Sequence, residues 1–334
     1  MSASANVTFQ INLAPTDYVG VREILPHQLR QWAGQVDEVL LVVDLHRSQG
    51  LLAEAKIEQL PGLRRLIDEC MASYSNVRSV DVDYSPASAQ AVADQFYGGS
   101  EVPLKDWRAA PIYPYFYGIH AASNPYVFHT DSDIMYGGGS QAWAAEAVEL
   151  LQSRPDVLVC SPLPGPPTAD GVLRSQSLVA EQLGSPAYRA DSVSTRLFMI
   201  DLQRFSERVG SLRAVAPSPR QTLMARVDGN PPFETAELMI SHGMQAAGLI
   251  RIDFLGREPG MWSLHPPYRS KLFYERLPAL IDQVESGRVP ELQRGDHDMN
   301  DSMIDWSTAR TPRWLRWSKH AEMLLRSVHG AGRG

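Results

Sequence analysis

Asp131 and Asp133, two carboxylates separated only by Ser132, are the residues of this sequence best placed to do specific chemistry. Two unpaired carboxylates so close together repel each other, and removing them from water is costly. A divalent cation would relieve both penalties. Oxygen ligands of this kind suit Mg²⁺ or Mn²⁺, ions that keep positions open for substrate phosphates. The pattern therefore indicates a metal site for a phosphorylated ligand, and the simpler interpretation is a polar loop.

The stretch that positions these aspartates is Tyr126–Asp131, which is apolar and β-prone and predicts a buried strand ending at the first carboxylate. Three glycines at 137–139 follow closely. Because glycine has no side chain, we expect them to let a bulky ligand approach the backbone.

Three earlier apolar runs also predict strands, at Val7–Leu13, Glu38–Asp44 and Val77–Asp83. Alternation with helical segments predicts βαβ units and a parallel sheet, in which ligands bind beyond the carboxyl ends of the strands. Four turn or acidic residues would then meet at that edge: Pro15, Asp44, Asp83 and Asp131. Later strands are expected at 157–161, 192–201 and 249–255. Helices are expected at 24–32, 51–74, 111–123, 143–153, 202–208, 233–247, 272–289 and 313–328.

Composition limits the classes of protein that this chain can represent. It has 334 residues, 44% hydrophobic and 21% charged, with a net charge of −7 and a pI of about 5.7. The acidic balance argues against a nucleic-acid binder. With only two cysteines, Cys70 and Cys160, the sequence argues against a disulfide scaffold and against a zinc cluster. With neither a signal peptide nor a membrane-spanning apolar run in the sequence, we expect a cytoplasmic protein.

The order of these segments resembles that of GT-A fold glycosyltransferases, in particular the family-2-like group, from about residue 7 to residue 268. Four stretches carry the likeness: Ile11–Thr16 at the first strand end, Val42–Asp44 followed by His46-Arg47-Ser48, Asp83 after the third strand, and Asp131-Ser132-Asp133 as the Asp-x-Asp motif. The resemblance implies an α/β fold with a mainly parallel sheet flanked by helices, and a helical extension over 269–334. It places the nucleotide-sugar half at about 1–140 and the acceptor half at about 141–268.

The resemblance also implies roles for single residues. Ala14, Pro15, Asp44 and Asp83 would contact the nucleotide, Asp131 the ribose and the metal, Ser132 the donor, and Asp133 the metal directly. His265, in a loop after the last strand, is the candidate for a third metal ligand. Trp262 could stack on the donor, and Arg269 with Lys105 or Arg108 could neutralise the diphosphate. The alternatives are that Trp262 is a core tryptophan, that His265 is a surface histidine, and that each of the basic residues is a solvated charge.

A general base is expected near the start of a helix, where the family-2 pattern has a Glu-Asp pair. Glu234 fits the first position, but Thr235 stands where aspartate is usual, which leaves both the base and inversion at the sugar open. Glu237 is the second candidate, and at this spacing it would share a helix face with Glu234. The Asp296–Asp298 segment is expected to be a solvated loop.

The function implied is a metal-dependent hexosyltransferase that uses Mn²⁺ or Mg²⁺ and a nucleotide-sugar, with a UDP-sugar as the expected donor. The acceptor would be a small molecule or carried on a protein, and a role in specialised metabolism is a hypothesis. Two rivals remain: a sugar-nucleotide nucleotidyltransferase, for which Leu13–Asp17 lacks the basic Gly-rich loop, and a non-catalytic nucleotide-sugar-binding protein. The oligomeric state is open.

Overall fold

A mixed β-sheet runs through the computed structural model, which describes residues 6–46, 57–174 and 178–310. Its strands are β1 (Val7–Leu13), β2 (Glu38–Val43), β3 (Val77–Asp81), β4 (Tyr126–Asp131), β5 (Met135–Gly137), β6 (Val157–Pro164), β7 (Val179–Gln182), β8 (Pro186–Ala190), β9 (Leu197–Asp201), β10 (Ile250–Phe254) and β11 (Trp262–Leu264). The spatial order is β3-β2-β1-β4-β9-β6-β10-β8-β7, and β5 joins through β11 to β6.

Helices cover both faces of this sheet. They are α1 (Tyr18–Trp32), α2 (Leu60–Ser73), α3 (Pro86–Tyr97), α4 (Tyr113–His120), α5 (Trp143–Ser153), α6 (Leu202–Arg204), α7 (Pro219–Asp228), α8 (Ala236–Ala246) and α9 (Lys271–Glu285). Two apolar cores lie on opposite faces of the sheet, one under α1, α2 and α5 and the other under α3, α4 and α8. All six residues of β2 are buried, as expected for a parallel strand that packs on both sides.

The first four strands in the spatial order are parallel, so their carboxyl ends share one edge of the sheet. Asn12 of β1 pairs with Asp131 of β4, and Leu13 pairs with Val43 of β2. The segments that follow these three strands therefore emerge side by side. Strand β9 is antiparallel to both of its neighbours, β4 and β6.

The predicted α/β class, with a mainly parallel sheet flanked by helices, is confirmed. Several boundaries differ: α1 begins at Tyr18 rather than Ile24, and β6 continues to Pro164 into a predicted loop. Pro61 lies in the first turn of α2, where its missing N–H costs nothing, so it starts that helix rather than interrupting it. The predicted helix at 313–328, part of the one at 51–74, and Arg47 and Ser48 lie outside the described residues.

Helix α9 belongs to a third apolar core, which it shares with α1, β5 and β11. Phe273 and Leu277 pack there with Ile24 of α1, Met135 of β5 and Leu264 of β11. The proposed boundary after residue 268 thus lies within a continuous core. No helix among the described residues is long and apolar enough to cross a membrane.

His27 connects α1, α9 and β5 through both nitrogens of its buried ring. Its Nδ1 lies 2.7 Å from Oε1 of Glu285, and its Nε2 accepts the backbone N–H of Tyr136 at 2.9 Å. The ring is therefore neutral, with the Nδ1 proton donated to the carboxylate. Burial lowers the pKa of His27 below 6.5, while the hydrogen bond from His27 lowers the pKa of Glu285 to about 2.

We expect the free energy of unfolding to fall as the pH is lowered from 7 to 5. Below pH 6.5 the unfolded chain binds a proton at residue 27 more readily than the folded chain does, so this stability is present above pH 6.5 and is lost as the pH falls below it. Each such proton contributes a slope of about 1.4 kcal/mol per pH unit. Urea unfolding at pH 5, 6 and 7 measures this slope, which should be smaller in His27→Gln. Equal slopes in the two proteins would contradict the assignment.

Candidate functional site

A buried glutamine of α1 fixes the turn after β4 through two hydrogen bonds to its backbone. The side-chain amide of Gln28 donates to the carbonyl oxygens of Asp131 at 3.0 Å and of Ile134 at 2.9 Å. The N–H of Asp131 donates to the carbonyl of Arg196 at 2.7 Å. Because the backbone is fixed on both sides, the three side chains of 131–133 leave the turn in defined directions.

A cavity of about 490 Å³ lies at the carboxyl edge of the parallel strands. The ends of β1, β2 and β4 contribute Ala14, Asp44, Asp131 and Ser132 to it. The remaining wall carries several groups able to bind or to exchange protons: Asp17, Lys105, Arg108, Tyr115, Glu237 and Arg269. The cavity is thus polar and contains both carboxylates and cations, as a site for a phosphorylated ligand would require.

Asp133 lines two neighbouring cavities beside the first one. Its Oδ2 accepts from Nη2 of Arg269 at 2.7 Å and from Nε at 3.2 Å, and it lies 4.0 Å from Nε2 of His265. Its Oδ1 is buried and has no hydrogen-bond partner among the described residues. A buried carboxylate oxygen without a partner is costly, which makes this atom a candidate ligand position.

His265 is oriented by residues that the sequence did not connect with it. Its Nδ1 lies 2.8 Å from Oδ1 of Asp298, and the same oxygen accepts from Nη1 of Arg196 at 2.9 Å. Although burial raises the pKa of Asp298, the hydrogen bond from His265 and the charge of Arg196 lower it to about 2. A carboxylate that binds one ring nitrogen leaves the other, here Nε2, directed at Asp133.

The predicted loop at Asp296–Asp298 is exposed at Asp298 but not at His297, which is buried beside the site. His297 is only 5% exposed, and burial followed by the nearby His265 lowers its pKa to about 3. The backbones also pair: the N–H of His265 donates to the carbonyl of His297 at 2.9 Å.

The expected metal ligands come together only in part. Two atoms bound to one Mg²⁺ can be at most about 4.2 Å apart, twice the ion–ligand distance, so the 4.0 Å between Asp133 Oδ2 and His265 Nε2 fits. The partnerless Oδ1 of Asp133 fits as well. Within 6–46, 57–174 and 178–310, however, no cluster of three or more His, Cys, Asp or Glu side chains forms a metal cage. Arg269 holds Oδ2 of Asp133 instead.

Two of the three glycines after the motif make room for other parts of the protein, Gly137 for a tryptophan ring and Gly138 for a backbone carbonyl. A Cβ on Gly137 would collide with the ring of Trp262, and one on Gly138, whose φ is +91°, would collide with the carbonyl of Gly260. The expected ligand approach is therefore wrong for these two positions. Trp262 itself is 4% exposed and lies in the core on β11, so the structure does not bring it to the cavity wall.

The two candidate bases occupy different environments. Helix α8 begins at Ala236, and the side chain of Thr235 caps it by accepting from the N–H of Leu238 at 3.2 Å. Glu234 precedes this cap, so the prediction that it shares a helix face with Glu237 is wrong. Glu237 lies in the first turn and lines the cavity, whereas Glu234 does not appear in its wall.

The remaining donor candidates are divided between the cavity and its surroundings. Asp44 lines the cavity and accepts from the hydroxyl of Tyr84 at 2.8 Å. Arg108 also lines it, with its guanidinium 5.5 Å from the centre of the Trp107 ring. Asp83 is not in the wall. Its carboxylate accepts from Ser88 at 2.5 Å and from Ser85 at 2.8 Å and 3.0 Å, and these bonds lower its pKa. Pro15 begins the short 3₁₀ turn Pro15–Asp17 beside Ala14.

Neither a protein-family model nor a curated protein matches the chain. Solved structures give weak likenesses to glycosyltransferases. The mannosyltransferase PcManGT from Pyrobaculum calidifontis with GDP-Man and Mn²⁺ is 15% identical, with a TM-score of 0.33, over 69% of this chain and 56% of that one. S. aureus TarS with UDP-GlcNAc is 10% identical, with a TM-score of 0.36, over 66% and 52%. This chain thus spans about half the length of both.

The galactosyltransferase LgtC with donor and acceptor sugar analogs is a third likeness. It is 9% identical, with a TM-score of 0.32, over 73% of this chain and 70% of that one. At such scores and identities we draw nothing about activity from any of the three.

Four residues of this region were not predicted from the sequence to belong to the site: Gln28, Asp17, Tyr115 and Asp298. The sequence did contain a signal for Gln28, because it is a polar residue on the apolar face of the predicted helix at 24–32. Asp17 is half-buried just before α1, and desolvation raises its pKa despite the charge of Arg269. Asp298 meets His265 across 33 positions of sequence, a pairing that no local pattern reveals.

Proposed function

We propose that this protein is a GT-A glycosyltransferase that transfers a sugar from a nucleotide-diphosphate donor. The observation that carries the proposal is the strand-edge cavity, because Ala14, Asp44 and Asp131, from three separate strand ends, meet Glu237 in one wall. The sequence resemblance assigns the first three to the donor and places a base near the fourth. A parallel sheet binds ligands at this edge.

Donor binding is proposed to follow the cavity wall. Ala14 and Asp44 contact the nucleoside, and Asp131 and Ser132 the ribose and the phosphates. The paired N–H groups of Arg269 suit phosphate oxygens, and this guanidinium already lies at the border of all three cavities. Arg108, which lines the same cavity as Arg269, adds a second positive charge.

The proposed Mn²⁺ or Mg²⁺ is held by Asp133 and His265, with Asp131 as the further ligand that the resemblance implies. When bound, the ion stabilises the negative charge that develops on the leaving diphosphate. Asp298 and Arg196 keep the ring of His265 in the orientation that offers Nε2 to Asp133.

The transfer step is a displacement at the anomeric carbon. The acceptor hydroxyl forms the new C–O bond, the bond to the diphosphate oxygen breaks, and the hydroxyl proton moves to the carboxylate of Glu237. Glu237 is proposed over Glu234 because only the former lines the cavity. We also propose that the donor is a UDP-sugar and that the transferred group is a hexosyl group. The proposed acceptor is a small molecule or is bound to a carrier, and the proposed role is cytoplasmic, in specialised metabolism.

A thermal-shift panel of nucleotide-sugars and nucleoside diphosphates, with and without MnCl₂, tests the proposal. One donor should raise the melting temperature in a metal-dependent way, since a ligand at a hundredfold excess over Kd adds about 2.7 kcal/mol to the stability of the folded state. Asp133→Ala should lose this shift. Asp282→Ala, at an exposed aspartate of α9, is the matched control and should keep it.

The panel, followed by analysis of the reaction products, also separates the two rivals from the proposal. A native protein that shifts with no donor contradicts the proposed site altogether. A donor that binds but is neither hydrolysed nor transferred over long incubation favours the non-catalytic binding protein, and release of pyrophosphate from a nucleoside triphosphate favours the nucleotidyltransferase.

A further inference from the structure

Tyr115 is a buried tyrosine of α4 whose ring and hydroxyl have different surroundings. The side chain is 5% exposed, and its ring packs edge-on against His129, with centroids 4.5 Å apart, and tilted against Phe198 at 5.9 Å. The residue nonetheless lines the strand-edge cavity. The ring is therefore part of the core, and the hydroxyl is buried at the cavity wall, within electrostatic reach of Asp131 and Glu237.

The hydroxyl of Tyr115 has no hydrogen-bond partner in the part of the chain that the structure describes. Other buried tyrosines are satisfied: Tyr136 donates to Oγ1 of Thr130 at 2.6 Å, and Tyr113 donates to the carbonyl of Asp83 at 2.6 Å. Burying a hydroxyl without a partner costs about 1–3 kcal/mol. Such a cost at the wall of a cavity is understandable when a ligand supplies the missing acceptor.

The charges around this hydroxyl restrict the acceptor that can reach it. Burial raises the pKa of Tyr115 well above its ordinary value, and the carboxylates of Asp131 and Glu237 raise it further. The group is therefore an O–H donor at any working pH. A neutral hydroxyl suits this position, because it can accept from the phenol and donate to a carboxylate.

We propose that the hydroxyl of Tyr115 donates a hydrogen bond to a hydroxyl oxygen of the donor's sugar, and so selects the sugar that is transferred. The proposal rests on the proposed function, which places the diphosphate at Asp131 and the base at Glu237. The group between a leaving diphosphate and the base is the sugar itself. Tyr115 is thus a specificity-determining residue that contacts the substrate, distinct from the residues that hold the nucleotide.

The test compares Tyr115→Phe with Tyr136→Phe, two changes that remove one hydroxyl each from a fully buried ring. Tyr115→Phe should keep or raise the melting temperature without ligand, because it deletes an unsatisfied group. Tyr136→Phe should lower it, because the change breaks a hydrogen bond to Thr130. In calorimetry with MnCl₂, Tyr115→Phe should bind UDP and GDP like the native protein and should bind the matching nucleotide-sugar about tenfold more weakly or worse.

The outcomes separate this inference from the function beneath it. Native protein that binds UDP-GlcNAc, UDP-glucose or GDP-mannose, together with Tyr115→Phe that binds it equally well and transfers it with unchanged kcat/KM, overturns the role of Tyr115 alone. Native protein that binds none of these nucleotide-sugars overturns both proposals. Equal weakening of UDP and UDP-sugar binding also overturns the sugar contact, since it would place the phenol at the nucleotide.

Discussion

Glu237→Gln is expected to lower kcat about 10²- to 10⁴-fold while donor affinity stays close to that of the native protein. Glutamine keeps the size of the side chain but cannot take the proton of the acceptor. The carboxylate is exposed in the first turn of α8, so little packing is lost. The loss of a negative charge at a helix N-terminus costs about 0.3–1 kcal/mol of stability, too little to unfold the protein. Steady-state kinetics and donor titrations measure the two effects separately.

Glu234→Gln is the matched control for this experiment. Glu234 lies three residues earlier, before the cap of the same helix and outside the cavity wall. Its replacement should leave kcat within the native range. If Glu234→Gln instead shows the large loss and Glu237→Gln does not, the assignment of the base is reversed and the geometry of the cavity has been misinterpreted.

Asp253→Ala is expected to destabilise the protein by about 3–5 kcal/mol, because it removes the carboxylate that pairs with a buried guanidinium. Asp253 accepts from Nη2 of Arg251 at 2.8 Å, and the two residues are 3% and 5% exposed on β10, between β6 and β8. Burial raises the pKa of Asp253 and the guanidinium opposes this effect. Urea unfolding monitored by tryptophan fluorescence gives the change in free energy.

Asp282→Ala supplies the contrasting case. Asp282 pairs with Arg288 at 2.5 Å, a shorter distance, but the side chains are 71% and 68% exposed. Pairs of this kind contribute about 0–1 kcal/mol, since water replaces the lost partner. Similar losses in the two variants would show that burial does not set the strength of these pairs.

Most of the strand framework could be predicted from the sequence because its signals are local. The run Tyr126–Asp131 is apolar up to a charged residue, and the structure ends β4 at that residue. Helix α3 was missed although its own signals were present, with Ser85 as cap, Pro86 in the first turn and Gly98 at the end. Strand β7 is mostly exposed and short, so it has no apolar period that a sequence pattern could detect.

The strand-end part of the site could be predicted because parallel strands bring their carboxyl ends together. Ala14, Asp44 and Asp131 needed only the strand order to be placed in one wall. The rest depends on contacts between distant segments. Gly137 meets Trp262 through the pairing of β5 with β11, and His265 meets Asp298 through a loop, neither of which any local periodicity encodes. The burial of Tyr115 at the cavity wall likewise depends on its packing against His129 and Phe198.

The shared core of α9 has a consequence for anyone who wishes to shorten this chain. A version that stopped at residue 268 would lack α9, whose apolar residues pack on Ile24, Met135 and Leu264. It would therefore expose an apolar surface of the kind that leads to aggregation. It would also remove Glu285, the acceptor of the proton on His27, whose other nitrogen accepts the N–H of Tyr136 on β5. A shortened chain that keeps this core should therefore extend at least to residue 285.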